Sequence, residues 1–275
     1  MEKIPFDLEY VENAVLLGKA SEVSREIEKQ DKVGRWEKYR KAGNTRSQSV
    51  SQHVTSAIAS TLLVLKPLLW QRQLEFDGEL LSDAVAVHDI GEIYHLDEDS
   101  ENDVLYENKS NDKDLKEYHK FLSIYDRFIE DEKIEREKER VGPQFGYIHE
   151  VYLLQYARSN PSNFPDEARK IMEKLWKEKP VTVLLFELVE RLGYVQYAYE
   201  QYKHHNNVCI FVQVVNSQGP HLDKLFRWLS TLDGFWQSLR KSLYAFTELR
   251  GAEFPNPGMY GKEVWFPAQT PPPEK

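Results

Sequence analysis

The chain has 275 residues, of which 41% are apolar and 29% charged, and its formal net charge is −9. Such a chain can build a core for one large domain or two small ones, which excludes a disordered polymer. The acidic balance argues against a polynucleotide partner, whose phosphates call for a basic face. A single cysteine, Cys209, excludes an internal disulfide framework and fits a reducing compartment. The opening residues MEKIPFDLEY lack a basic and apolar signal pattern. No apolar run approaches the ~20 residues of a membrane span. The expectation is a cytoplasmic protein with no membrane partner.

In chain order, residues 7 to 30 read as one or two amphipathic helices with Leu8, Val11, Ala14, Val15 and Leu16 on the apolar face. Residues 34 to 44 are a polar connection. Ser49 or Ser51 can cap the next helix, whose apolar positions Val54, Ala57, Ile58, Leu62 and Leu65 recur at three and four. Pro67 should end or kink it. Residues 79 to 95 form another helix, and the acidic stretch 98 to 114 reads as a loop. From 115 to 140 the pattern is helical but so highly charged that it reads as a solvated helix. A short apolar helix covers 147 to 158, and an amphipathic one covers 166 to 177. Pro180 starts a long apolar helix. Residues 206 to 250 hold two helical segments split near Gly219 and Pro220. The tail from 251 carries Pro255, Pro257, Pro267 and Pro271 to Pro273 and reads as extended. No period-two alternation demands a strand, and FVQVV at 211 to 215 is the one doubtful stretch. The fold class is all-α, in one helical domain over 1–250 with a Pro-rich tail at 251–275.

The chemistry sits in AVAVHDIGEIYHLD, residues 84 to 97. An apolar run delivers His88 and Asp89 side by side, with Glu92, His95 and Asp97 close behind. Buried charges are paired or bound to a metal, and neutral imidazole with ionised carboxylate suits a divalent cation. With 8 His in the chain, one His-Asp step says little alone, but its order and placement say more. His53 opens one core helix, His88–Asp89 lies deep in the next, and Glu190 lies in a later apolar helix, with Glu187 its competitor one turn earlier. Successive residues on an α-helix point about 100° apart. One ion shared by His88 and Asp89 therefore lies between their directions, with His53 and Glu190 supplied by flanking helices.

These motifs resemble the HD-domain metal-dependent phosphohydrolases, whose pattern is His, then His-Asp, then a distant Asp. The similarity is greatest to the 5′-deoxynucleotidase group. Arg46 precedes Ser49-Val50-Ser51-Gln52-His53, and His88-Asp89 is followed by Glu92 and Asp97, in the order and spacing of that group. The helix carrying Glu190 and Ala198-Tyr199-Glu200 resembles the family's final ligand helix, and 165 to 178 resembles the segment before it. The resemblance covers roughly 35–205 and departs from the family at Glu190 and Gln52, where it has Asp and an acid, and in the long charged stretch 98–144.

The resemblance implies an HD-domain helical bundle and a homodimer, and the charged stretch 98–144 reads as a helical insertion beyond the family's pattern. It also implies one divalent ion (Mn, Fe, Co, Ni or Zn) on His53, His88, Asp89 and Glu190. Such an ion lowers the pKa of water and neutralises charge developing on phosphorus. Glu92, read as one α-turn beyond His88 on the same face, can accept a proton from the attacking water or protonate the leaving ribose oxygen. Asp97 would contact the sugar and select deoxyribose. Arg46 would grip the phosphate through its planar guanidinium. The expected activity is removal of phosphate from deoxynucleoside 5′-monophosphates. Two rivals stay open. One is an HD-type hydrolase of another phosphate ester, such as a nucleoside triphosphate or a cyclic nucleotide. The other is a degenerate HD domain that binds a nucleotide or a protein without turnover.

Overall fold

The structure is a computed structural model that describes residues 24–25, 27–35, 48–96, 112–129, 146–205 and 207–238. Of the helices expected over 7 to 30, residues 7 to 23 lie outside the described residues, as do Arg46, Asp97, most of the charged stretch and the Pro-rich tail, while 24–25 and 27–30 are helical. What is described is mostly helical, as the periodicity predicts.

Helix α1 begins at Val50. The Ser49 hydroxyl accepts the Gln52 N–H at 3.3 Å, and the Gln52 side chain accepts the Ser49 N–H at 3.2 Å. This reciprocal cap satisfies two backbone donors at once, and it gives Gln52 a structural use where the family carries an acid. Ser49 and Ser51 both donate to Asp31. Two short strands, β1 (Gly34–Arg35) and β2 (Gln48–Ser49), pair antiparallel with Gly34 opposite Ser49. Two residues per strand are too few to leave an alternation in the sequence. The doubtful stretch 211 to 215 is helical.

Pro67 does not end α1. The α-helix Val50–Ser60 passes into a π-helical turn, Thr61–Leu65, and continues as Lys66–Gln71. A helical proline has no N–H to donate and its ring crowds the carbonyl four residues back. The wider turn, closed by the Lys66 N–H on the Thr61 carbonyl, directly precedes it. Continued through the proline, Val50–Gln71 is 22 residues long and, by length and composition alone, apolar enough to cross a membrane, with 28% of its most apolar window buried. This differs from the expectation that no apolar run approaches the ~20 residues of a membrane span. Its inner face buries Val50, His53, Val54, Ala57, Thr61 and Leu69, while Leu63 and Trp70 face outward.

Helix α2 (Gly78–Val87) starts at Asp77, whose side chain accepts the Leu80 N–H at 2.9 Å and pairs with Lys179 at 2.8 Å. The helix expected over 79 to 95 then changes character, and His88–Leu96 is a 3-10 helix. Helix α3 (Lys113–Ile129) packs on that 3-10 segment. It buries Glu117, Tyr118, Phe121 and Ile124, so this part of the charged stretch is not a solvated helix. Helix α4 (146–153) ends in a 3-10 turn, Leu154–Tyr156. Helices α5 (Asp166–Glu178) and α6 (Pro180–His205) follow.

Helix α7 (Val208–Leu229), capped by Asn207, runs straight through Pro220 instead of splitting there. Phe211, Val212 and Val215 before the proline and Leu222, Leu225, Phe226 and Leu229 after it are all buried. Packing on both sides outweighs the one lost hydrogen bond, a cost of about 3 kcal/mol. One apolar cluster joins α1, α2, α3, α4, α5, α6 and α7, from Ala57 to Trp236. Within it Phe121 stacks on Tyr152 at 4.0 Å. Leu80 and Leu81, fully buried on α2, each contribute roughly 1.5–3 kcal/mol relative to exposure. They anchor α2 so that its C-terminal end carries His88 and Asp89 into the bundle.

Candidate metal centre

His53 lies in the first turn of α1, His88 and Asp89 open the 3-10 segment, and Glu190 sits midway along α6. His53 and His88 are each 3% exposed, Asp89 is 7% exposed, and the Glu190 side chain is 14% exposed. The two imidazoles meet edge to face with centroids 5.7 Å apart. Tyr194 stacks on His53, and Phe186 holds the edge of His88. Gly193 lets the His53 ring lie against α6, since a Cβ there would stand 3.3 Å from its Cε1.

His88 Nδ1 lies 2.9 Å from the Val85 carbonyl oxygen. A carbonyl only accepts, so Nδ1 carries the proton and Nε2 is turned inward. This second contact is what fixes the tautomer of a metal-ligating histidine. His88 Nε2 stands 3.0 Å from Glu190 Oε1 and 3.2 Å from Asp89 Oδ1. His53 Nε2 stands 3.4 Å from Glu190 Oε1 and 3.8 Å from Asp89 Oδ2. Despite these separations, His53 Nε2, His88 Nε2 and Glu190 Oε1 are buried and have no hydrogen-bond partner.

Donor atoms about 2.1 Å from one ion stand about 3.0 Å apart at right angles and about 3.4 Å apart in a tetrahedron. The observed separations fall at and just above these values. His53, His88 and Asp89 form a buried group that could hold a metal ion, and Glu190 points into the same space. The electrostatics agree. Burial alone would push the His88 imidazole down, but the Asp89 and Glu190 carboxylates hold it well above its usual range. Burial likewise pushes the Glu190 carboxyl up, and His88 and His53 hold it well below. The cluster therefore attracts positive charge. Glu187, the competitor, faces elsewhere and pairs with Arg158 and with Arg191 at 3.8 Å.

Glu92 is 5% exposed, but not on the face that an α-helix implies. At about 120° per residue a 3-10 helix eclipses positions three apart. Glu92 is therefore aligned with Asp89 rather than with His88. Its carboxylate accepts from Lys113 Nζ at 3.4 Å, and Lys113 pairs with Glu117 at 2.9 Å. Tyr156 donates its hydroxyl to the other Glu117 oxygen at 3.0 Å. Lys113 and Glu117 were missed by the sequence reading. Their signal was an i,i+4 opposite-charge pair beside the apolar positions Tyr118 and Phe121, lost among the many charges of that stretch.

A cavity of about 450 Å³ lies between α1 and α6, lined by Ser56, Thr61, Leu65, Leu192 and Tyr197 among others. It reaches the cluster only through His53, and Asp89, Glu92 and Glu190 do not line it. Arg46 and Asp97 lie outside the described residues, as does the side chain of His95. Compared with known proteins, the chain matches no family model, no curated protein and no solved structure.

Proposed function

We propose that this chain is an HD-type, metal-dependent phosphohydrolase that removes phosphate from nucleoside 5′-monophosphates, deoxy forms first. The observation that carries the reading is the convergence of His53 Nε2, His88 Nε2 and Glu190 Oε1, all buried and without hydrogen-bond partners, beside Asp89. The two imidazole nitrogens stand 3.0 and 3.4 Å from the same carboxylate oxygen, a convergence that one divalent ion would satisfy at once. His53, His88, Asp89 and Glu190 would hold one divalent ion, with imidazole and carboxylate suiting Mn²⁺, Fe²⁺, Co²⁺, Ni²⁺ or Zn²⁺.

When bound, that ion would supply Lewis-acid activation of water and charge neutralisation at phosphorus. The chain supplies the proton chemistry. Glu92, buried and aligned with Asp89, takes a proton from the attacking water or gives one to the leaving ribose oxygen. A phosphorus–oxygen bond to water forms, the ester bond breaks, and the products are a nucleoside and inorganic phosphate. Arg46 and Asp97 are assigned to the phosphate and the sugar on the resemblance alone.

The test is a nucleotide panel assayed for phosphate release after metal removal and add-back of each candidate ion. Release from monophosphates that returns only with metal supports the reading. Pyrophosphate, triphosphate or a linear dinucleotide as product would transfer the site to another phosphate ester. Stoichiometric metal with no turnover on any ester would make the chain a binder.

A further inference from the structure

We propose that Lys113 and Glu117, both on α3, are positioning residues that aim the Glu92 carboxylate for the reaction proposed above, on which this inference rests. Nothing in the family resemblance assigns them. Three buried or nearly buried charged side chains meet where α3 crosses the 3-10 segment. Glu92 and Glu117 are each 5% exposed, and the Lys113 side chain is 15% exposed. The ammonium lies between the two carboxylates, 3.4 Å from Glu92 Oε1 and 2.9 Å from Glu117 Oε1.

The arrangement has a direction. Lys113 and Glu117 are one helical turn apart, so α3 itself holds the pair together. The far oxygen of Glu117 is pinned by the Tyr156 hydroxyl from the turn after α4. Lys113 is thus fixed from behind, and its contact with Glu92 is the only one of the three that spans to the catalytic segment. A lysine carries about 2 kcal/mol of rotamer entropy, and the anchored partner is what keeps it aimed.

Gly91 permits the close crossing. A Cβ there would overlap the Glu117 carbonyl oxygen and the Tyr152 hydroxyl, so a side chain at 91 would push α3 and its lysine away. The groups facing Glu117 are Lys113 on its own helix, Glu92 and Asp89 on the 3-10 segment, and Tyr152 and Tyr156 on α4 and its turn. Burial pushes the Glu117 carboxyl up to about 7, against the pull of Lys113 and with the push of Glu92 and Asp89.

A double-mutant cycle on the metal-loaded full chain tests the proposal, because a residue acting through Glu92 has nothing left to act on once Glu92 is changed. Lys113→Met should lower kcat roughly 10–100-fold in the parent, with KM and metal content unchanged. In the Glu92→Gln background it should lower kcat by less than about twofold. Lys113→Arg should recover most of the loss, and Glu117→Gln should reproduce part of it. Equal losses in both backgrounds would overturn the proposal and leave Lys113 a structural residue.

Should the parent turn over no phosphate ester, the functional reading fails by itself. The positioning claim is then read from the Glu92 carboxyl carbon resonance of the zinc-loaded chain, assigned through Glu92→Gln. That resonance should move on Lys113→Met and on Glu117→Gln. If both variants leave it in place, the proposal is wrong.

Discussion

Two buried charge clusters share one short 3-10 segment, and they are completed differently. Glu92, Lys113 and Glu117 carry their own cation, and the Tyr156 hydroxyl meets the remaining Glu117 oxygen. In the cluster of His53, His88, Asp89 and Glu190 the positive charge comes from a histidine, since Asp89 and Glu190 hold the His88 imidazole well above its usual range, and three inward-facing atoms have no hydrogen-bond partner. The first cluster carries its counter-charge within the chain, although Glu117 Oε1, 2.9 Å from Lys113 Nζ, is buried without a hydrogen bond as well. The second brings His53, His88 and Asp89 together as a buried group that could hold a metal ion. Burial alone therefore does not identify a metal site. Burial together with convergent imidazole and carboxylate atoms is what makes a group able to hold an ion.

The largest effect should come from breaking the histidine cluster. His88→Ala should abolish metal binding and activity together while the helical circular dichroism persists. Retention of a full equivalent of metal by elemental analysis would remove the distinction between the clusters. Within that cluster, metal titration should rank Glu190→Gln as strongly weakened and Glu190→Asp as less so, the shorter side chain falling short by about 1.5 Å, one carbon–carbon bond.

The lysine cluster should fail in another way. Glu92→Ala should keep metal and nucleotide binding yet lose roughly 10²–10⁴ in turnover, the range for a general acid or base. Loss of metal along with turnover would merge the two clusters into one.

Stability against pH separates them further. The Glu117 carboxyl sits at about 7 in the fold against 4.5 when unperturbed. A raised folded value means that its contribution is fully present below about 4.5 and is lost as pH rises through about 7. Between about pH 5 and 8 the metal-free wild type should lose on the order of 3 kcal/mol from this group. Glu117→Gln should flatten that slope in urea unfolding. A slope unchanged by the substitution would mean that Glu117 ionises without cost.

A smaller loss, about 1–3 kcal/mol for an overpacked contact, is expected for Gly91→Ala. It should show as a lower melting temperature with metal stoichiometry intact, since the overlap falls on α3 rather than on the imidazoles. The smallest effect is reserved for Glu187→Gln, which should leave metal affinity unchanged because Glu187 is engaged with Arg158 and Arg191. Metal loss in that variant would shift the register of α6 by one turn.

The sequence by itself determined what local chemistry decides. A serine cap of α1 at 49 or 51, the start of α6 at Pro180 and the all-α class follow from capping and apolar spacing, and each can be read one segment at a time, whereas the meeting of His53 and His88 takes two segments and the fold that joins them. The choice of Glu190 over Glu187 needed the fold, because both lie in the same apolar run and only packing against α1 and the 3-10 segment tells them apart. Pro67 and Pro220 were read as breaks for a similar reason. A proline's local penalty is visible in sequence, whereas the π-helical turn before Pro67 and the buried apolar residues flanking Pro220 belong to tertiary structure. The switch from α to 3-10 at His88 was hidden as well, since the two helices share nearly the same apolar spacing over nine residues, and it moved Glu92 into line with Asp89. Lys113 and Glu117 were hidden most deeply. In a stretch crowded with charges, only the docking of α3 decides which acids and which lysine leave water, and docking is a sum of contacts between segments far apart in the chain.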